Sequence, residues 1–134
     1  LGLDHDWPCV IVGAGNLGSA LAKFAGFPDR GFTVVAVVDI DEEKVGQKIG
    51  DVVVHHQDRL GDLVREHGVV IGIITTPPGA AQHAAERLIE SGVRSILNFA
   101  PTVLDVPSDV LVRDVDVAVE LQILAFHEER RTAG

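Results

Sequence analysis

The chain has 134 residues with no methionine and no tyrosine, one cysteine, one tryptophan and five phenylalanines. A lone cysteine, Cys9, excludes a disulfide framework within one chain and fits a reducing compartment, the cytoplasm. Its place in an apolar run reads as a buried core thiol. The scarcity of aromatic rings leaves little surface for stacking nucleic-acid bases. Cations are also short: 11 Lys and Arg against 20 Asp and Glu give a formal charge of −9. That balance excludes this segment as the part that grips a polyanion, because duplex DNA is held largely through Lys and Arg at its phosphates. No apolar run approaches the roughly 18 residues that span a bilayer, and no signal-peptide pattern opens the chain, so no membrane partner is expected. With Leu1 at its start and no methionine, the chain is expected to be a piece of something longer. Residues 1–8 then read as a linker from the missing portion.

What is present is 46% hydrophobic, enough for one domain of ordinary size. The organising stretch is Val10-Ile11-Val12-Gly13-Ala14-Gly15-Asn16-Leu17-Gly18-Ser19-Ala20, an apolar run, a Gly-x-Gly-x-x-Gly turn and a helical pattern in that order. This is the context the dinucleotide-binding fingerprint requires. Gly13 allows the tight exit from the strand, Gly15 lets a pyrophosphate approach the backbone, and Gly18 lets the helix pack on the sheet. The next apolar run, Thr33 to Val38, ends in Asp39, about 20 positions beyond the last glycine, where an acidic residue holds a ribose hydroxyl. No Arg or Lys directly follows Asp39, and Asp41, Glu42 and Glu43 would repel a 2′-phosphate, so NAD is expected over NADP.

Further along, strand and helix patterns alternate. A helix is expected over Asn16–Ala25, a short one over Ile40–Gly46 capped by Asp41, and others over Asp58–His67 and Ala80–Ser91. Strands are expected over Val52–Val54, Val69–Ile74, Ser95–Phe99 and Val110–Val112. The pattern predicts an α/β fold, a doubly wound parallel sheet of the Rossmann type over residues 9–116. A C-terminal helix over 117–134 is different. It presents Val117, Leu121 and Leu124 on one side and Val119, Ile123 and Phe126 on another. More apolar surface than one sheet covers points to packing on a second copy of the chain, the alternative being a helix that closes the chain's own sheet.

Ligands of open α/β sheets sit beyond the carboxyl ends of the strands. Four segments end there: Gly13 to Gly18 (with Ala14, Asn16 and Leu17), Asp39-Ile40, Thr75-Thr76-Pro77, and Asn98-Phe99-Ala100-Pro101. Thr75, Thr76 and Pro77 are expected beside the cofactor's middle, and Asn98 and Phe99 toward the nicotinamide. His55-His56 lacks Cys or carboxylate partners at ligand spacing, so no metal is expected. Only His67, His83 and Asp105 stand as loose acid-base candidates, and no substrate domain is present, so the nucleotide reads as a signal and the chain as no enzyme. Two rival readings are a fragment of an NAD-dependent oxidoreductase and a CoA-binding Rossmann module. The 3′-phosphate of CoA would prefer basic residues where the chain has Asp39 to Glu43.

Gly13 through Leu21, Val38-Asp39-Ile40-Asp41, Ile96-Leu97-Asn98-Phe99-Ala100-Pro101 and Val115 through Phe126 together resemble the redox-sensing transcriptional repressors of the Rex family, over nearly the whole chain from Cys9 to Arg131. The resemblance implies an N-terminal winged-helix domain that contacts operator DNA and a homodimer whose C-terminal helices are domain-swapped. It also implies repression that is relieved when NADH binds. By position, Asp39 would hold the adenosine ribose, Gly13, Gly15 and Gly18 the pyrophosphate, and Thr75, Thr76, Pro77, Asn98 and Pro101 the rest of the cofactor. Phe24 falls where many relatives have a tyrosine that can pair with the aspartate matching Asp116, and phenylalanine has no hydroxyl for it. Val117 falls where some relatives place a phenylalanine against the nicotinamide. A nicotinamide and dimer switch of Phe24, Asp116, Val117 and Leu121 is thereby expected. An apolar pocket of Phe24, Phe99, Val117 and Leu121 would penalise the cationic oxidised ring by desolvation and favour the neutral reduced one.

Overall fold

In a computed structural model of the chain, residues 6–133 are described. The elements run β1 (Trp7–Val12), α1 (Asn16–Ala22), α2 (Gly26–Asp29), β2 (Phe32–Asp39), β3 (Lys48–Ile49), β4 (Val52–His56), α3 (Leu60–His67), β5 (Ile71–Ile74), α4 (Pro78–Glu90), β6 (Ser95–Asn98), β7 (Leu111–Asp114) and α5 (Val117–Ala133). The seven strands form one sheet in the order β3-β4-β2-β1-β5-β6-β7. Every ladder is parallel except the β3–β4 pair. The chain winds outward from β1 to β4 and then returns to lay β5 on the other side of β1. The switch point lies between β1 and β5, and the crevice beyond their carboxyl ends is where such a sheet takes its ligands.

The central strands β1 and β2 are apolar on both faces because both are largely covered. Along β1, Val10 and Val12 join the core under α3 and α4, while Cys9 and Ile11 join the core under α1. α4 starts at Pro78, whose missing N–H costs nothing in a first turn. Its Ala81, Ala84, Ala85 and Leu88 are buried. A Cβ at Gly72 of β5 would stand 2.6 Å from Leu88 Cδ1, so glycine there is what admits the leucine.

The sheet and its order of winding are as the sequence implies, and several local expectations are not. Residues 40–46 form no helix. They make successive turns, with Lys44 N–H donating to Asp41 O at 3.0 Å and Val45 N–H to Glu42 O at 3.3 Å. Asp41 Oδ1 does accept from Glu43 N–H at 3.0 Å, but the same bond makes an Asx turn as readily as a helix cap. The first helix stops at Ala22, and Gly26-Phe27-Pro28-Asp29 forms its own helical turn. A 3-10 turn over Gln57–Arg59 precedes α3. Of the expected linker, residues 1–5 lie outside the described residues, and Trp7 and Pro8 already belong to β1.

α5 is longer than its apolar pattern and has no buried residue. Val117, Leu121 and Leu124 are each about 60% exposed, and Phe126 is 56% exposed. The alternative in which this helix closes the chain's own sheet is therefore corrected: the sheet face over β5 and β6 is left with an apolar groove of about 290 Å³, lined by Cys9, Phe27, Phe32, Ile71, Ile73, Leu97 and Leu111. Burial, with a smaller contribution from Asp6, pushes the Cys9 thiol up to about 11. Among the described residues no helix is long and apolar enough to cross a membrane.

Candidate dinucleotide site

The glycine turn is built by its neighbours. Gly13 has φ +114°, a conformation L side chains rarely adopt. Its N–H donates to Val38 O at 2.8 Å, and its carbonyl accepts the Thr75 hydroxyl at 2.8 Å. A Cβ on Gly18 would collide with Gly13 O and stand 2.7 Å from Thr75 Oγ1, so α1 reaches the sheet only because residue 18 lacks one. Gly15 has open space, with no heavy atom within 4 Å of an added Cβ, and the first turn of α1 receives no side-chain cap. A bare glycine with unpaired N–H groups behind it is a cradle that suits a pyrophosphate. Asp39 ties the turn down: Oδ2 accepts from Ala14 N–H at 2.7 Å and Oδ1 from Asp41 N–H at 2.8 Å. Each oxygen keeps a lone pair for a ribose hydroxyl.

Two clefts open beside this turn. The first, of about 560 Å³, brings together Gly13, Gly15, Asp39, Ile40, Thr75, Thr76 and Pro77. It also contains Lys44, Gln57 and His83, which the sequence reading did not place there. Lys44 returns through the turns of residues 40–46, which a helix would have carried elsewhere. For His83 a signal existed: it stands one helical turn beyond Ala80, which also lines the cleft. The second cleft, of about 490 Å³, is lined by Leu17, Phe99, Ala100, Pro101, Thr102 and Val103 on one side and by residues 114–118 on the other. Asp116 and Val117 line this cleft at the start of α5. Asp116 caps that helix, its Oδ1 accepting from Val119 N–H at 3.1 Å.

Three expected residues stand apart. Asn98 is fully buried and lines neither cleft. Its Nδ2 donates to Ala100 O, Thr102 O and Asp114 Oδ1 at 3.0–3.1 Å, and its Oδ1 accepts from Ala100 N–H at 3.0 Å. Phe24 packs edge-on against Phe27, with ring centroids 4.9 Å apart, and lines a separate groove with Lys23 and Phe32. Leu121 is exposed on α5. Within one chain, then, the wall of Phe24, Phe99, Val117 and Leu121 is not assembled, and only Phe99 and Val117 meet. Asn16 opens α1 at the rim of the turn. His56 Nδ1 accepts from Asp58 N–H at 3.1 Å, and among the described residues no group of three or more His, Cys, Asp or Glu is placed to hold a metal.

A mostly parallel sheet with a glycine turn, an aspartate at the end of β2 and clefts on both sides of the switch point is the layout of a Rossmann domain. The chain belongs to the CoA binding domain family, whose profile matches residues 4–102. Its relatives narrow this further. Over 131 residues it is 56% identical to the redox-sensing transcriptional repressor Rex of Streptomyces griseus, covering 98% of this chain and 52% of that protein. The Rex repressor of Carboxydothermus hydrogenoformans is 52% identical over 97% of this chain and 62% of its own length. RSP, a Rex-family repressor, superposes with a TM-score of 0.92 at 34% identity in its complex with NADH, over 98% of this chain and 64% of that one. In the complex of RSP with NAD+ and operator DNA the TM-score is 0.89, over 98% and 61%. The resemblance to Rex read from the sequence is borne out, and the chain spans about half the length of the Streptomyces relative.

Proposed function

We propose that this chain is the NAD(H)-sensing part of a Rex-type repressor, a domain over residues 9–116 with a dimerisation helix over 117–134. The observation that carries the reading is the pair of clefts on either side of the Gly13–Gly18 turn. A dinucleotide laid across the turn has its adenosine ribose at Asp39, its phosphates on Gly15 and its nicotinamide beside Phe99, Pro101 and Val117. The reactive ring therefore ends at the first turn of α5. NAD supplies the ring whose charge differs between its two redox states, and the chain's own residues bind and orient it. The relatives are named as repressors, which favours a sensor over an enzyme.

The reading extends to the assembly. Six large apolar residues of α5 are about half exposed, and covering each contributes on the order of 1 kcal/mol. The matching surface is the apolar groove on the sheet, and a second copy's α5 laid there completes both. The dimer with exchanged helices would act on operator DNA through an N-terminal winged-helix domain, in the cytoplasm, and NADH would release it. A ligand shifts such an equilibrium only by its differential affinity for the two arrangements.

Titration calorimetry of the purified chain with NADH, NAD+ and CoA tests this. The expected order is NADH tighter than NAD+ by about tenfold or more, a difference of only about 1.4 kcal/mol. Equal affinities for the two, or tight binding of CoA alone, would overturn it.

A further inference from the structure

The buried side chain of Asn98 is spoken for by the protein, and what it connects is specific. Its amide orientation is set by its surroundings: three oxygens face Nδ2 and one N–H faces Oδ1. Two of the oxygens, Ala100 O and Thr102 O, belong to the wall of the second cleft. The third, Asp114 Oδ1, belongs to the residue that ends β7 and lines the opposite wall of the same cleft. The Asn98 carbonyl also accepts Val115 N–H at 2.9 Å, and the next residue, Asp116, caps α5. An amide has two protons, and here three acceptors stand at 3.0–3.1 Å. One proton is shared, and any displacement of the Ala100–Thr102 wall changes how firmly Asp114 is held.

We propose that Asn98 is a positioning residue that transmits occupancy of the nicotinamide-side cleft to the start of α5, through Asp114, without itself touching the cofactor. The proposal rests on the NADH-sensing reading above. A ring pressed against Ala100 and Pro101 moves carbonyls that compete with Asp114 for the Asn98 amide. The β7 end and the helix cap two residues beyond it then adjust together. Coupling of this kind needs a contiguous element with two arrangements, and the oversubscribed amide is one.

Backbone hydrogen exchange of the full chain, with and without saturating NADH, tests it. In the native protein NADH is expected to slow the amides of residues 115–120 by about tenfold, within the usual range of intersite coupling. With Asp114→Ala, at NADH saturating for that variant, the slowing should fall to about twofold or less while loop 99–103 still responds. Asp114→Asn keeps an oxygen acceptor for Asn98 and should restore the response. Asn98→Ser, too short to span both sides, should behave as Asp114→Ala, with exchange in β5 reporting that the sheet is intact. Full transmission in Asp114→Ala or Asn98→Ser, or no rescue by Asp114→Asn, would overturn the proposal. NADH bound with no response at 115–120 would overturn it and leave the sensing reading standing, whereas no NADH binding to the native chain would remove both.

Discussion

One methyl group, placed at each of the three glycines in turn, should separate binding from stability. At Gly15 the added Cβ meets nothing within 4 Å, and the backbone is at φ −78°, which any residue adopts. Alanine is a poorer helix cap than glycine by roughly 0.5–1 kcal/mol, and a stiffer unfolded chain offsets about 0.4–1 kcal/mol of that. Gly15→Ala should therefore leave stability within about 1 kcal/mol of the native value, a shift in Tm of roughly 3–5 °C or less. The same methyl occupies the space a pyrophosphate needs, so NADH affinity should fall ten- to a hundredfold, about 1.4–2.8 kcal/mol. At Gly18 the methyl runs into Gly13 O and Thr75 Oγ1, an overpacking that costs about 1–3 kcal/mol. At Gly13 it adds about 1–3 kcal/mol of backbone strain at φ +114°. Urea denaturation and NADH titration on the three variants separate the loss of binding at Gly15 from the loss of stability at Gly13 and Gly18. The reasoning fails if Gly15→Ala loses more than about 2 kcal/mol of stability, or if it binds NADH as the native chain does.

Asp39→Asn should cost about 1–3 kcal/mol in urea denaturation, because the new amide group must face one of the two N–H donors, Ala14 or Asp41, that the carboxylate now accepts. NADH affinity should drop with it, and an unchanged urea midpoint would contradict the geometry. The Cys9 thiol is raised from 9.0 to about 11 in the folded chain, so the stabilisation it contributes is complete below pH 9 and is lost as pH rises from there toward 11. Thermal melts of native and Cys9→Ala chains across that range should differ in slope, the variant's stability falling less steeply. Leu121→Glu with Leu124→Glu should give a monomer by sedimentation and bring the NADH and NAD+ affinities toward equality.

How much of this was readable in advance follows from how local each cause is. The Gly13–Gly18 turn and Asp39 were legible because their geometry depends on backbone conformation and close approach within one βαβ unit. Residues 40–46 were not, since Asp41 makes the same side-chain bond in an Asx turn and in a helix cap, and only Gly46 at φ +90° marks the turn. Asn98 was placed at the cofactor because it ends a strand at the ligand side of the sheet. Alternation along β6, with Ile96 and Asn98 buried and Ser95 and Leu97 half-buried, turns it into the core instead. The separation of Phe24 and Leu121 from the second cleft has a different origin. Within one chain Phe24 lines a different groove and Leu121 is exposed on α5, and neither position follows from its local sequence.

Under the proposed reading, the make-up of the second cleft bears on how the two redox states would be told apart. The second cleft is not purely apolar, because Asp114 and Asp116 line it beside Phe99 and Val117. A free carboxylate would attract the cationic oxidised ring by about 1–4 kcal/mol at 4 Å. Neither carboxylate is free: Asp114 holds the Asn98 amide, and Asp116 holds the first turn of α5, whose positive end opposes its charge. Both bonds come from neutral donors and leave the carboxylate charge in place, so part of this attraction persists, and the neutral ring is preferred only to the extent that water is excluded from the cleft. The cleft and the exposed residues of α5 are uncovered in a single chain, where an oxidised ring would stay hydrated and the penalty would be absent. In the proposed dimer, cover from a second copy would supply that desolvation. By linkage, if pairing changes the relative affinity for NADH and NAD+, the two forms must change the pairing by the same factor.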